Sequence, residues 1–498
     1  MMPPHPQNSP SELGRFGLAC LERYETYGDG EALATGLARL EEAVAAAPGH
    51  PERMRWWYGL GSAYESRAEE HGSLDDYDRA VEWYAKLYEQ LVPGDRDRTF
   101  VALTLTGACW SRFWLLRYGT GDEPEDCAAL VDGMLAALRR WPVGEEDPEA
   151  AAFARMIEGL AHQERYDLAH EPADLDRGIL LLAGALPGLP DDTPWLAVAA
   201  FTLATAYQER YATGGDERML ELAIEMAARA IELAGAEHPT WLSAHEHQAL
   251  CFTERWRLAG DRGDLDRAIG SWQVVLARED DGWSAALGGE LMRERAELDD
   301  DPVDAAQAVR LLDRAVRDCP DVATAAERWF ELGRAHRTQW TVGRTEGGLE
   351  AADRCVSLVL TLGLADHEPV VVGALVELAN LARLYHDRGA STLATPGSTA
   401  AEQAAGLADL SAAERISRSV LTRIPAGDTR RVPVLLVCVL AGWARFSHTG
   451  GEAQLTMLDE LTAELVAAQP AGTDLHDVAV TARAIVLAKS GFAPGSYI

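Results

Sequence analysis

Lysine is almost missing from this 498-residue chain: Lys86 and Lys489 are the only two, and arginine supplies the rest of the 45 basic side chains. A phosphate-binding loop of the GxxxxGKS/T type needs a lysine directly after glycine. Ala85 and Ala488 precede the two lysines, so no such loop exists. The seven cysteines show no CxxC spacing, which argues against a zinc ribbon or a disulfide framework. Cys20, Cys109 and Cys251 fall in helical stretches where a small apolar side chain suits packing, and a reduced, cytoplasmic compartment is expected. Apolar runs are short as well: those around Val370–Val376 and Val434–Leu440 fall well below the ~20 residues of a membrane helix. The opening MMPPHPQNSP has no basic start and no apolar core, so it does not read as a signal peptide.

Chemistry-bearing motifs are equally scarce. The sequence has no G-x-S-x-G elbow, no HExxH and no strand-rich segment on which a glycine-rich loop could sit. His245 and His247 are two apart, which on a helix points them to different sides, whereas a zinc-binding helix spaces histidines by four. The acidic clusters Glu145-Glu146-Asp147, Glu279-Asp280-Asp281 and Asp299-Asp300-Asp301 lack the spaced ligands and glycine of a calcium loop. No catalytic residue, no metal site and no cofactor is expected, and the chain reads as a non-enzyme. Charge points the same way on partners. Acidic residues number 79 against 45 basic ones, a net charge of −34. Such a surface repels phosphate backbones and anionic lipid, which excludes nucleic acid and membrane as partners and favours a basic protein or peptide.

What is present is a repeat. The stretch FTLATAYQERYATGGDERMLELAIEMA from Phe201 aligns with EHQALCFTERWRLAGDRGDLDRAIGSW from Glu246, Ala204, Tyr207, Glu209, Arg210 and Gly215 falling 45 residues before Ala249, Phe252, Glu254, Arg255 and Gly260. A small residue anchors each copy: Gly17, Gly61, Gly107, Gly159, Ala204, Ala249, Gly289, Gly333 and Ala379, with steps of 44, 46, 52, 45, 45, 40, 44 and 46. Each copy reads as helix, turn and second helix, so the period predicts stacked helix pairs in place of one closed core. Glycine recurs eleven residues after the anchor at Gly28, Gly72, Gly215 and Gly260, where a helix end favours a left-handed residue. Asp174 and Asp264 are expected to cap the second helices, with Asp176 and Asp266 in their first turns.

Trp57, Leu60, Gly61 and Tyr64 reproduce W-x2-L-G-x2-Y, and Trp329, Leu332, Gly333 and His336 repeat it with His for Tyr. Through this motif the chain resembles the tetratricopeptide-repeat (TPR) family. Gly260–Ile269, GDRGDLDRAI, and Asp174–Ile179, DLDRGI, resemble the turn of the long-period type common in actinobacteria, which often accompanies CHAT or signalling domains; no such effector domain is read here. The resemblance covers about Ser11 to Ala468. It implies an all-α fold, an α-solenoid of stacked TPR-like helix-turn-helix repeats forming a right-handed superhelix. The expected organisation is a disordered 1–10, repeats one to nine over 11–390, a flexible insertion over 391–412, C-terminal repeat helices and a capping helix over 413–490, and a loose tail at 491–498.

The resemblance also places a concave groove on the first helices, at positions four and five after the anchor. Here those are Glu65, Arg112, Gln163, Glu164, Gln208, Glu209, Thr253, Glu254, Arg293, Glu294 and Arg337, the candidate partner-binding residues. Their glutamates either form an acidic stripe for a basic peptide or pair with neighbouring arginines. Arg23, Arg67, Arg165, Arg210, Arg255 and Arg295 stand six residues after the anchor in six of the first seven copies, with Phe113 as the exception. Identical recurrence in most copies marks that row as structural, serving helix ends and neighbouring acids. Trp56, Trp57, Trp195, Trp241, Trp283 and Trp329 open first helices and read as packing between copies. Trp83, Trp110, Trp114, Trp256, Trp272 and Trp340 are less regular, and any exposed member is the better contact candidate. The expected function is a non-catalytic scaffold or adaptor holding a protein or peptide segment in an acidic groove. The alternatives are a regulatory subunit of a separately encoded effector, such as a CHAT-type protease, and an enzyme with an unfamiliar site in the groove.

Overall fold

A computed structural model describes residues 9–92, 95–119, 127–191, 193–279, 281–469 and 472–490. The tail 491–498 and all but the last two residues of the expected disordered 1–10 lie outside the described residues. Among these are twenty-one α-helices and no strand. Ten antiparallel pairs succeed one another: α1 (Pro10–Tyr27) with α2 (Gly30–Ala46), α3 (Arg53–His71) with α4 (Leu74–Gln90), α5 (Arg96–Trp114) with α6 (Cys127–Arg140), α7 (Pro148–Ala169) with α8 (Pro172–Ala185), and α9 (Pro194–Gly214) with α10 (Glu217–Ala234). Then come α11 (Pro239–Ala259) and α12 (Arg262–Leu276), α13 (Gly282–Asp299) and α14 (Pro302–Ala315), α15 (Val322–Gly343) and α16 (Gly348–Val359), α17 (Pro369–Ala394) and α18 (Ala400–Arg423), α19 (Arg431–Thr449) and α20 (Glu452–Ala467), and a last helix, α21 (Asp474–Lys489). The chain divides into two compact units, 1–264 and 265–498, the division falling inside α12. Each is an all-α solenoid of stacked helix pairs.

The anchors explain why the pairs close. All nine fall on odd-numbered helices. A Cβ on Gly17, Gly61, Gly159, Gly289 or Gly333 would come within 2.4–2.8 Å of Leu40, Tyr84, Leu182, Leu312 or Val356 respectively. Every one of those partners lies 23 residues after its anchor, so the hairpin register is the same in these five copies, and a Cβ at the anchor would push the second helix away. Gly107 is the exception, with open space where its Cβ would be.

Eleven residues after the anchor the backbone turns left-handed, as expected, at Gly28, Gly72, Gly215 and Gly260, with φ of 67°, 63°, 70° and 68°. The same position is left-handed at His170, Asp300 and Arg344, with φ of 54°, 52° and 50°. The turn geometry is therefore imposed by the hairpin even where no glycine relieves it.

The arginine row finishes the hairpin. Arg67 donates from Nε and Nη2 to Asp76 at 2.9 and 2.6 Å, and Arg255 does the same to Asp264 at 2.8 and 2.7 Å. Arg165 with Asp174 and Arg295 with Asp304 repeat the bidentate pair, each aspartate nine residues after its arginine. Asp174 and Asp264 thus stand inside the first turn of the second helix, gripped by arginine, instead of capping it as expected. The cap position of α8 is Glu171, which makes no side-chain cap bond. In the copy of Arg210, where Met219 occupies the aspartate position, the guanidinium turns to Asp176 of the preceding copy at 3.0 Å. Arg165 and Arg295 also reach back, to Asp132 and Asp266 at 3.2 and 3.1 Å, so the row ties successive pairs together.

That grammar relocates the ninth anchor. Ala379 is only partly buried, whereas Ala382 is fully buried, follows Leu381, precedes Tyr385 by three, and stands six before Arg388. Arg388 makes the bidentate pair, to Asp409 at 2.8 and 2.6 Å. The ninth copy is registered on Ala382.

The span 391–412 is also different from expectation. Its first residues complete α17, and from Ala400 it forms the first half of α18, opened by a Thr399–Glu402 capping box. A Cβ on Gly389 would lie 2.7 Å from the Gly406 carbonyl oxygen. The close contact of these two helices is made by Gly389 and Gly406, while residues 399–405 of the expected insertion are helical or capping and exposed.

α19 departs from the reading of its apolar run as short. It is 19 residues long, with a mean hydropathy of 1.4, enough by length and composition to cross a membrane. Here Val434, Leu435, Cys438, Val439, Ala441 and Gly442 are buried, and the helix packs on α18 and α20.

Candidate functional site

The eleven candidate residues divide between the two units, eight in the first and three in the second. In the second unit all three are committed to internal ion pairs. Arg293, only 1% exposed, lies 3.2 Å from both Glu297 and Glu331 and 3.5 Å from Glu294. Arg337 pairs with Glu297 at 3.2 Å and with Glu377, and Thr338 donates to Glu297 at 2.6 Å. This is a closed network joining α13, α15 and α17.

In the first unit the outcome is mixed. Glu65 accepts a 2.9 Å bond from the Tyr84 hydroxyl, and burial raises its carboxyl to about 7. Arg112 pairs with Asp78, and Thr253 is buried with its hydroxyl on the Ala249 carbonyl at 2.7 Å. Glu254 lies 3.6 Å from Arg257, and Gln208 is half-buried. The remaining three, Gln163, Glu164 and Glu209, line one wall of a cleft of about 900 Å³.

Four first helices build this cleft. α3 contributes Glu69; α5 and its extension contribute Trp110, Trp114 and Tyr118; α7 contributes Gln163, Glu164 and Asp167; α9 contributes Trp195, Phe201 and Glu209. His238, Thr240 and Ser243 close it from the start of α11. Among the described residues that line it there is no lysine or arginine, against four carboxylates.

Backbone geometry aims the aromatic wall. At Leu115–Gly119 α5 widens into a π-helical turn, a feature that inserts a residue and rotates the side chains beyond it. Trp114 and Tyr118 then lie with ring centroids 4.3 Å apart, 51% and 47% exposed. Trp110 stands behind them, 6.1 Å from Trp114 and 5.3 Å from Phe113. Phe113 occupies the position that carries arginine in most other copies, and its burial against Trp110 replaces the ion pair with an aromatic base for the wall.

The carboxylates are electrostatically crowded. Glu164 accepts a 2.6 Å bond from the Tyr118 hydroxyl. Burial raises its carboxyl above the usual range, the Tyr118 hydrogen bond opposes the rise, nearby Asp167 adds to it, and the Arg117 guanidinium opposes it. Asp167 is raised likewise by burial, against the amide of Gln163 at 2.9 Å and with Glu209 adding. Burial also raises Glu69. Gln163 is 6% exposed, and its Oε1 accepts no hydrogen bond. Carboxylates outnumber the cations at the site, where Arg117 alone reaches Glu164, Nε to Oε2 at 3.9 Å, among the described residues. Among the described residues no three His, Cys, Asp or Glu side chains are grouped as metal ligands would be.

The aromatic half of this site was not named among the sequence candidates, although Trp110 and Trp114 stood in the irregular tryptophan set. A signal existed: the third copy departs from the pattern twice, with Phe113 in the arginine row and a 52-residue step after Gly107.

No protein-family model matches the sequence, and neither does any curated protein. Three solved structures similar to the chain are a human IFIT1 dimer with m7Gppp-AAAA (13% identity, TM-score 0.28, 96% of this chain and 90% of that one), the APC/C hetero-tetramer Cut9-Hcn1 (14%, 0.29, 96% and 87%) and yeast Tom70 (14%, 0.22, 96% and 96%). Likeness at these TM-scores says nothing about ligand or partner.

Proposed function

We propose that the chain is a non-catalytic protein-interaction scaffold whose first unit holds a basic segment of a partner protein in the cleft between α3 and α11. The observation that carries this reading is the cleft itself: about 900 Å³, with four carboxylates from three helices in its lining and Arg117 beside one of them, Glu164. Desolvation holds three of those carboxyls above their usual range; an arriving cation offsets that cost by favouring the ionised form. A preformed concave surface lowers the ordering cost of binding an extended segment. The overall charge of −34 draws basic partners toward it. The cysteines, none of them in a disulfide, suit a reduced, cytoplasmic setting.

The test is fluorescence anisotropy with labelled nonapeptides of basic, neutral and acidic composition. The basic peptide is expected to bind, weakening as salt rises, and a Glu164→Gln/Glu209→Gln variant of unchanged helicity is expected to lose about tenfold or more in affinity. Equal binding of all three peptides, or an unaffected variant, refutes the placement.

A further inference from the structure

Resting on that reading, we infer that the corner formed by Trp114, Tyr118, Gln163, Glu164 and Asp167 is a pocket for an arginine side chain of the bound segment, selecting guanidinium over ammonium. Three observations point to a planar donor of several N–H groups rather than to a point charge.

The first is the exposed indole of Trp114. A guanidinium is weakly hydrated and stacks on aromatic faces, whereas a lysine ammonium keeps its water. Tyr118 is held in place beside it by the 2.6 Å bond to Glu164, so both rings are pre-oriented.

The second is the set of acceptors. Tyr118 engages only Oε1 of Glu164, and the Gln163 amide only Oδ1 of Asp167. Gln163 Oε1 is no part of this set: it is enclosed, 3.8 Å from where a Cβ on Gly178 of α8 would stand, so the open acceptors are carboxylate oxygens. A guanidinium offers five N–H donors in a fixed plane, and an ammonium three on a point.

The third is an internal precedent. The guanidinium carbon of Arg117 lies 5.1 Å from the centroid of the Tyr118 ring, and its Nε lies 3.9 Å from Oε2 of Glu164. The corner already holds one guanidinium against the same ring and the same carboxylate, with Asp167 and Glu209 adding further negative charge.

The experiment uses the full chain and two nonapeptides of equal charge, carrying either three arginines or three lysines in one glycine-serine frame. Titration calorimetry is expected to show the arginine peptide binding about tenfold more tightly. In Trp114→Leu the arginine peptide falls to the affinity of the lysine peptide, which itself changes little; Tyr118→Leu narrows the difference without removing it. Both variants are compared with the parent by circular dichroism. If the two peptides bind the parent equally, the arginine inference is overturned while the basic-segment reading stands. If neither binds, both are overturned. N-acetyl-arginine amide binding as tightly as the arginine nonapeptide would overturn the assignment to a protein segment in favour of a small guanidine compound.

Discussion

Glu65 shows how a position chosen for one role serves another. It is one of the concave-face candidates, yet it is held by the Tyr84 hydroxyl, its carboxyl raised to about 7, chiefly by burial and against the hydrogen bond that Tyr84 donates. In the unfolded chain the carboxyl titrates near 4.5. Between those values the folded chain holds more protons than the unfolded one, so Glu65 makes stability fall as pH rises from about 4.5 to about 7, and the loss persists above that. Glu65→Gln keeps the acceptor for Tyr84 and removes the titration. Its stability is expected to exceed the parent's near about pH 8, by a margin on the order of 1–3 kcal/mol that shrinks toward acid and appears as a higher melting temperature. A thermal-shift series over pH reads this directly; parallel curves would refute it.

At the scale of the helix pair, three spacings from the anchor recur: arginine at six, a left-handed residue at eleven, a close partner at 23. They act on different parts of the hairpin: the ion pair joins its helices at the turn, the left-handed residue reverses the chain, and the glycine sets helix separation. Where one is compromised the others hold the geometry, which is why Asp300 stays at φ 52° without glycine. Asp300→Gly removes the steric cost of that conformation and is expected to stabilise the chain by about 0.5–1 kcal/mol, against the greater freedom glycine gives the unfolded state. Urea denaturation checks the gain; a loss would mean that the aspartate makes its own contribution to the turn.

At the scale of the molecule, helix pairs contact mainly their neighbours, so stability is close to a sum of local terms and varies along the chain. α6 buries only Val131, Met134 and Leu135. In the second unit α17 and α18 share the most extensive cluster, including Leu378, Leu381, Tyr385, Leu410 and Ile416. Hydrogen exchange is expected to be fastest among the paired helices in α6 and slowest in α17 and α18, with protection factors separated by at least about two orders of magnitude. Uniform protection would indicate one cooperative core in place of stacked pairs.

The period of small residues, the glycine turns and the arginine row were legible in the sequence because each is a local requirement: a short step between helices, a positive φ, a cation at a helix end. They determined the all-helical stack and the structural role of the arginines. What the arginines pair with was not legible, because Asp76 or Asp264 and the capping position next to them look alike until the turn is built. The ninth anchor and the Gly389–Gly406 crossing were missed for a similar reason, since a longer helix and a run of small residues resemble irregularity when no partner surface is in view. The concave-face positions were only partly informative. Tertiary packing decided that Arg293 and Arg337 neutralise neighbouring glutamates, while Glu164 and Glu209 remain with Asp167 in a cleft faced by Trp114 and Tyr118. Spacing specifies which side of a helix a residue occupies; whether a charge there meets its opposite or stands in a crowd of its own sign depends on which helices pack beside it.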